Sequence, residues 1–256
     1  MHKNSHKIAL FLIFFTGSMS ANASEPQQQS SEGGLSGSLA VLSQYIYRGG
    51  IENDQPTLQA GLEYEHASGL YAGYWASTLN YDAADISKDH GVEHDFYMGY
   101  AGTLSPDLSY RSHIVTYLYN DGGSVYSEDR TERRSTTGAE FVNSLSYKDF
   151  DVGVTVALAD VSYANACDTY LSLAHHYALP QNFQFNSSIG ASIYRQHDDA
   201  ILTTEKNFTV NEVRLGLSRP FAETGIEMSA DYIYGVHNRM GEDLEDHLVL
   251  GLTYNF

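Results

Sequence analysis

Hydrophobic and polar positions alternate with a period of two along much of the chain. The closing segment HLVLGLTYNF sets Leu248, Leu250, Leu252, Tyr254 and Phe256 against small or polar neighbours, Val249 excepted. Successive strand side chains point to opposite faces, so such a segment turns one face to an apolar environment and the other to a wetter one. The same rule holds where His94, Phe96, Met98, Tyr100, Gly102 and Leu104 oppose Asp95, Tyr97, Gly99, Ala101 and Thr103. It recurs where Phe183, Phe185, Ile189 and Ile193 oppose Gln184, Asn186, Ser188 and Ser192, and where Ile226, Met228, Ala230, Tyr232 and Tyr234 oppose Glu227, Ser229 and Asp231. Between residues 70 and 81 two apolar sets compete for the outward face, Tyr71, Trp75 and Leu79 against Leu70, Tyr74 and Ala76, and the register stays open.

Turn signals divide the chain into twelve predicted strands: 35–48, 56–66, 70–81, 92–104, 108–120, 138–147, 151–162, 168–178, 182–195, 208–219, 225–237 and 246–256. Their length suits a tilted membrane strand of about 9–11 residues. Short connections around HASG, SPD, KDF, LPQN and RPFAETG alternate with longer ones at 82–91, 121–137 and 196–207. Short turns on one rim and long loops on the other are the asymmetry of a membrane barrel, and an even strand count returns both ends to one side. The fold class predicted is all-β, a transmembrane antiparallel up-and-down β-barrel over residues 35–256. A soluble β-sandwich alternates as well. Tyrosines toward strand ends, among them Tyr45, Tyr47, Tyr64, Tyr71, Tyr232 and Tyr254, suit the aromatic rims of a barrel.

The opposite end of the chain adds a compartment. Lys3 and Lys7 precede the apolar run IALFLIFF, and Ala21-Asn22-Ala23 offers a small-residue cleavage site, so residues 1–23 read as a signal peptide cut near Ala23/Ser24. Eight apolar residues, Ile8 to Phe15, fall short of the roughly 20 that a spanning helix needs. Residues 24–34, SEPQQQSSEGG, read as a flexible periplasmic leader. The composition, with 20 Tyr, 11 Phe, 22 Gly and 5 Pro, favours strands and turns. A negative mean hydropathy does not exclude membrane insertion, because a barrel needs only half of each strand to be apolar. The single cysteine, Cys167, can form no internal disulfide. Removing Lys3 and Lys7 from 14 basic residues leaves 12 against 32 acidic ones, a net charge of about −20 that argues against nucleic acid as a partner.

Residues 39–79 carry a family resemblance. Tyr45, Arg48 and Gly49, then Pro56 and Gln59, then Tyr64, His66, Ser68 and Gly69, continued by Tyr71, Gly73 and Trp75, resemble the amino-terminal signature of the TorF-type porin family of Gram-negative bacteria. Gln44 stands where that family carries an acidic residue, and Gly50-Ile51-Glu52-Asn53 departs from its usual stretch, so the first long loop is expected to differ. The final strand, with Leu252, Tyr254 and Phe256, also resembles the assembly signal of bacterial outer-membrane barrels. The resemblance implies an outer-membrane barrel and a pore, with no known solute; small hydrophilic solutes, outer-membrane lipid, lipopolysaccharide and the barrel-assembly machinery are the expected partners of such a barrel. The resemblance implies no catalytic set, and passive diffusion through a pore is expected to need no cofactor.

With the apolar set turned outward, the lumen would hold Arg48, Glu63, Glu65, Asp95, Arg111, Glu140, Asp151, Glu212, Arg214, Glu227 and Asp231. Charges inside a closed barrel need pairing or water. A hydrated passage supplies water; pairing of Arg48, Arg111 and Arg214 with the acids would instead fill a plugged barrel. Of these, Arg48, Glu63, Asp95, Arg111, Glu140, Glu212, Arg214 and Asp231 are the candidate pore-lining residues. Acidic loop residues such as Asp82, Asp129, Asp198 and Asp199 would attract cations at the mouth or form a lipopolysaccharide-facing surface. No loop has EF-hand spacing, and neither His90 and His94 near Asp95 nor His197 beside Asp198 has a third partner, so no metal site is assigned. His175 and His176 point to opposite faces of one strand. Two other functions remain open. A phospholipase-like enzyme needs a nucleophile, base and orienting group in reach, and no segment resembles the serine region of such enzymes. A non-conducting barrel could also anchor binding or adhesion loops. The expected function is passive, cation-preferring diffusion through a monomeric or weakly oligomeric barrel that is not an enzyme.

Overall fold

The computed structural model describes residues 33–85, 87–221 and 223–256. The predicted signal peptide and all but the last two residues of the predicted leader lie outside the described residues. The strands are β1 (Gly34–Leu42), β2 (Tyr45–Tyr47), β3 (Gly50–Asn53), β4 (Thr57–Glu65), β5 (Leu70–Leu79), β6 (Gly91–Ser105), β7 (Leu108–Tyr119), β8 (Ser124–Tyr126), β9 (Arg133–Ser135), β10 (Gly138–Tyr147), β11 (Phe150–Ala157), β12 (Thr169–Ala178), β13 (Gln184–Ile193), β14 (Phe208–Phe221), β15 (Ile226–Gly235) and β16 (His247–Asn255). Twelve of them close into one antiparallel barrel, in the order β1, β16, β15, β14, β13, β12, β11, β10, β7, β6, β5, β4. The two remaining pairs, β2–β3 and β8–β9, are separate hairpins.

Closure satisfies the last sheet edge. β1 pairs with β4 from Gly34↔Glu65 to Leu42↔Thr57 and with β16 from Ser38↔Asn255 to Leu42↔Gly251. Phe256 and Gly37 exchange backbone bonds of 2.8 and 3.0 Å. Gly37 is required there, because a Cβ would stand 2.5 Å from the Phe256 ring. A ring without free edges leaves no strand open to pairing with another chain.

The barrel is inverted relative to a soluble protein. Its exposed face carries Leu39, Leu58, Leu62, Phe96, Met98, Ile114, Leu173, Ile189, Leu215, Met228, Leu250 and Leu252, while Gln59, Glu63, Asp95, Glu140, Asn186, Glu212 and Asp231 are buried inside. An apolar exterior of this extent is far beyond the patches that water-soluble monomers expose, and it matches the band of a transmembrane barrel.

The predicted barrel strands recur within a few residues, with two corrections. The first strand does not run to residue 48. It leaves the wall after Leu42, and residues 45–53 turn back as the β2–β3 hairpin. The strand predicted to reach 162 ends at Ala157. The open register of β5 is resolved with Tyr71, Trp75 and Leu79 inward and Leu70 outward. Its inward face is apolar because the hairpin packs on it: Tyr45 meets Trp75 edge-on with ring centroids 5.7 Å apart, beside Leu79, Val115, Tyr117 and Tyr119.

Candidate functional site: the barrel lumen

The β2–β3 hairpin lies within the ring. Its turn residues, Arg48 and Gly49, both have positive φ, 50° and 80°, as the two-residue turn of a tight hairpin requires. Glycine adopts that conformation without strain, whereas a Cβ at position 49 would also stand 2.7 Å from the Asn211 carbonyl. Arginine does not adopt it readily, and such a residue persists where its surroundings hold it.

Glu140, across the lumen on β10, holds Arg48. It accepts from Arg48 Nη1 at 3.0 Å and Nη2 at 2.8 Å, and from the Tyr117 hydroxyl at 2.8 Å. The guanidinium also lies 4.6 Å from the ring centroids of both Tyr47 and Tyr170. From β14, Arg214 donates to the Ile46 carbonyl at 3.1 Å and to Glu212 at 2.8 and 2.9 Å. The Tyr170 hydroxyl bonds the other Glu212 oxygen at 2.9 Å. The hairpin is thereby fixed to β10 by a bidentate charge-assisted pair, stronger and more directional than a neutral bond, to β14 by the Arg214–Ile46 bond, to β12 by the Arg48–Tyr170 stack and to β5 by Tyr45 on Trp75.

Nearer the short-turn rim, Arg111 on β7 donates to both Glu63 oxygens at 2.9 Å and to Glu65 at 3.2 Å. It stacks 3.9 Å from the Tyr71 ring centroid. The Tyr71 hydroxyl in turn meets His113 Nδ1 at 2.9 Å. On the other side, His176 bridges Asp151 at 2.8 Å and Asn186 at 2.9 Å. His175, pointing outward, packs against Phe150 with centroids 4.5 Å apart.

All eight candidate pore-lining residues face inward, but they do not line one ring. Six form three pairs: Arg48–Glu140, Arg111–Glu63 and Arg214–Glu212. Among the described residues, Asp95 and Asp231 form no salt bridge, and one oxygen of Asp95 has no hydrogen-bond partner. Arg48 reaches the lumen from the hairpin turn rather than from a wall strand. Sequence reasoning missed Glu93, which lies two residues before Asp95 and is buried on the same face; extending the alternation by one step would have found it. It also missed Tyr170, whose role depends on partners in the β2–β3 turn and in β14 that no local pattern reveals. Leu252, Tyr254 and Phe256 point outward, the last two rings stacked at 5.8 Å.

At the long-loop rim a cavity of about 510 Å³ is lined by the hairpin, by β7, β8, β12 and β13, and by the loops after β5, β11, β13 and β15. Arg134 of β9 ties these loops together. It is buried and donates to the Val161 and His197 carbonyls, to Asn165 Oδ1 at 2.7 Å and to Asp199. Arg239 bonds Asp168 at 2.6 Å and Thr204 at 3.1 Å. Several loop acids thus stabilise local structure. Burial opposes ionisation of Asp199, yet the Leu202 and Ile201 N–H groups and Arg134 hold its carboxyl below the usual carboxylate range. The Ala84 N–H and Lys88 do the same for Asp82.

These features define a transmembrane antiparallel β-barrel with an apolar exterior and a charged, partly paired lumen narrowed by an inward hairpin. Residues 26–240 match the family described as "Bacterial protein of unknown function (Gcw_chp)", and the chain belongs to that family. No curated protein matches the sequence. Among solved structures, the chain is similar to an outer membrane channel from Pseudomonas putida F1, with 9% identity over 88% of this chain and 95% of that one and a TM-score of 0.49. It is also similar to outer membrane phospholipase A from Escherichia coli, with 11% identity over 85% and 91% and a TM-score of 0.45. For Salmonella typhi OmpF in complex with daunomycin, the identity is 11% over 88% and 97%, with a TM-score of 0.42.

Proposed function

We propose that this chain is a porin of the bacterial outer membrane, exported by its signal peptide, that lets small hydrophilic solutes diffuse passively past the β2–β3 hairpin. The observation that carries the reading is the hairpin held inside a charged lumen by Arg48–Glu140 and Arg214–Ile46. The inward segment narrows the lumen, and the three arginine pairs fill part of it; the buried carboxylates of Asp95 and Asp231, outside those pairs, are what support water in the remainder. The TorF-type resemblance of residues 39–79 supports the same reading, since its Tyr45, Arg48 and Gly49 form this hairpin. Unpaired Asp95 and Asp231 support a preference for cations. Leu252, Tyr254 and Phe256 are proposed as the assembly signal, with lipid and lipopolysaccharide around the barrel. No catalytic step or cofactor belongs to this function. Planar-bilayer conductance of the refolded protein tests it: discrete ohmic channels are expected, and a barrel that inserts without conducting overturns it.

A further inference from the structure

We infer that the cavity at the long-loop rim is a binding site for an uncharged pyranose sugar, a mono- or disaccharide. At about 510 Å³ it falls within the ~300–1,000 Å³ range of small-molecule sites. Its lining includes Tyr47, Tyr81, Tyr119, Tyr163, Tyr170 and Tyr194, drawn from the hairpin, two barrel strands and three connecting segments. Tyrosine offers a flat apolar face together with a hydroxyl. A pyranose has the matching surface, with C–H groups on its faces and hydroxyls around its edge.

Charge decides the ligand class. Four of the five ionic groups in the lining are paired with an opposite charge, Arg48 with Glu140, Arg239 with Asp168 and Asp82 with Lys88, while Glu52 accepts a hydrogen bond from the Tyr81 hydroxyl at 2.5 Å. An anion would have to break one of these ion pairs or enter without a counter-ion, which leaves a desolvated charge, and a cation would have to displace the Tyr81 hydroxyl from Glu52. A purely apolar ligand fits no better. Arg48 Nε and the Tyr163 hydroxyl, both on lining residues, are buried and have no hydrogen-bond partner in the structure. Each is an unmet donor just behind the cavity wall, with the Tyr163 hydroxyl against Gly138, so a sugar hydroxyl reaches it once the side chain turns toward the cavity, and the cost of an unmet buried polar group favours that turn.

The inference deepens the pore reading by naming its solute class, but binding does not require conduction, so the two can fail separately. Isothermal titration of the refolded full chain in detergent, with glucose and maltose as probes and lysine and succinate as charged controls, tests it alongside bilayer conductance. Saturable heat is expected from a sugar and not from the controls. Tyr163→Phe, which removes only the hydroxyl, should weaken binding up to roughly tenfold, as loss of one hydrogen bond allows. Tyr126→Phe, outside the cavity, should leave it unchanged. A folded, conducting protein that gives no sugar heat overturns the site and leaves the pore reading intact. Sugar binding by a barrel that never conducts keeps the site and overturns the pore. Preferential heat from lysine or succinate overturns the ligand class, and sugar heat indifferent to both Tyr163→Phe and Tyr194→Ala overturns the location.

Discussion

Arg48 combines a left-handed backbone conformation, which for a non-glycine residue costs about 1–3 kcal/mol, with a side chain that bonds the far wall of the barrel. The Glu140 carboxylate offsets that cost, so Glu140→Ala should release the hairpin. Hydrogen bonds to charged groups contribute about 1.5–3 kcal/mol, and a loss toward the lower end is expected because 22% of the Arg48 side chain stays exposed. Urea unfolding in lipid should register it, and single-channel conductance should rise as the hairpin loses its anchor; unchanged conductance would mean that the hairpin does not narrow the passage. On the opposite face, Leu250 is 53% exposed midway along β16. Leu250→Arg should cost about 2–4 kcal/mol near the bilayer midplane. Thr253→Arg, on the inward face, should cost less. The reverse order in a lipid-refolding titration would turn the barrel inside out.

Elements differ in how far a period of two reveals them. The β6, β13, β15 and β16 strands were legible because lipid on one side and polar lumen on the other impose strict alternation. β5 was not, since Trp75 and Leu79 pack inward beside Tyr45 of the hairpin while Tyr71 turns inward onto Arg111, and together they make both faces apolar. The hairpin itself was hidden because Tyr45 and Tyr47 continue the rhythm of β1, and alternation cannot say whether a strand stays in the wall. The turn was the available signal: Arg48-Gly49-Gly50 permits a two-residue reversal. Gly49→Val, strained at φ 80° and facing the Asn211 carbonyl, should displace the hairpin and raise conductance while the barrel still closes. The loop cap has its own signature. Asp199 has a depressed carboxyl, so its contribution is fully present above the unfolded value of about 3.9 and is lost as pH falls through the lower folded value. Hydrogen exchange at the Ile201 and Leu202 amides should stay slow, after correction for intrinsic rates, down to about pH 4 and lose protection below it. Protection that persists well below that range would remove Asp199 from the cap.

Assembled, the barrel joins charges that lie far apart in the chain, and this is why the inward face of the lumen was legible while its pairing was not. Alternation places Arg111 and Glu63 inside, but only the ring order brings β7 within reach of β4. Pairing also alters the selectivity argument. The three lumen arginines are each matched to an acid, so the residual field comes from unpaired carboxylates, with Asp95 toward the long-loop rim and Asp231 in the middle of β15. Fixed negative charge in a confined passage raises the local cation concentration. The reversal potential under a salt gradient should therefore show cation preference, strongest at low salt. It should weaken as the Debye length falls from about 10 Å at 0.1 M to about 3 Å at 1 M. Asp95→Asn and Asp231→Asn together should reduce it without touching the three ion pairs, whereas Glu140→Ala frees Arg48 and should shift selectivity toward anions. Anion preference in the unaltered protein would mean that the arginine at the hairpin, rather than the more numerous acids, sets the field at the narrowest point.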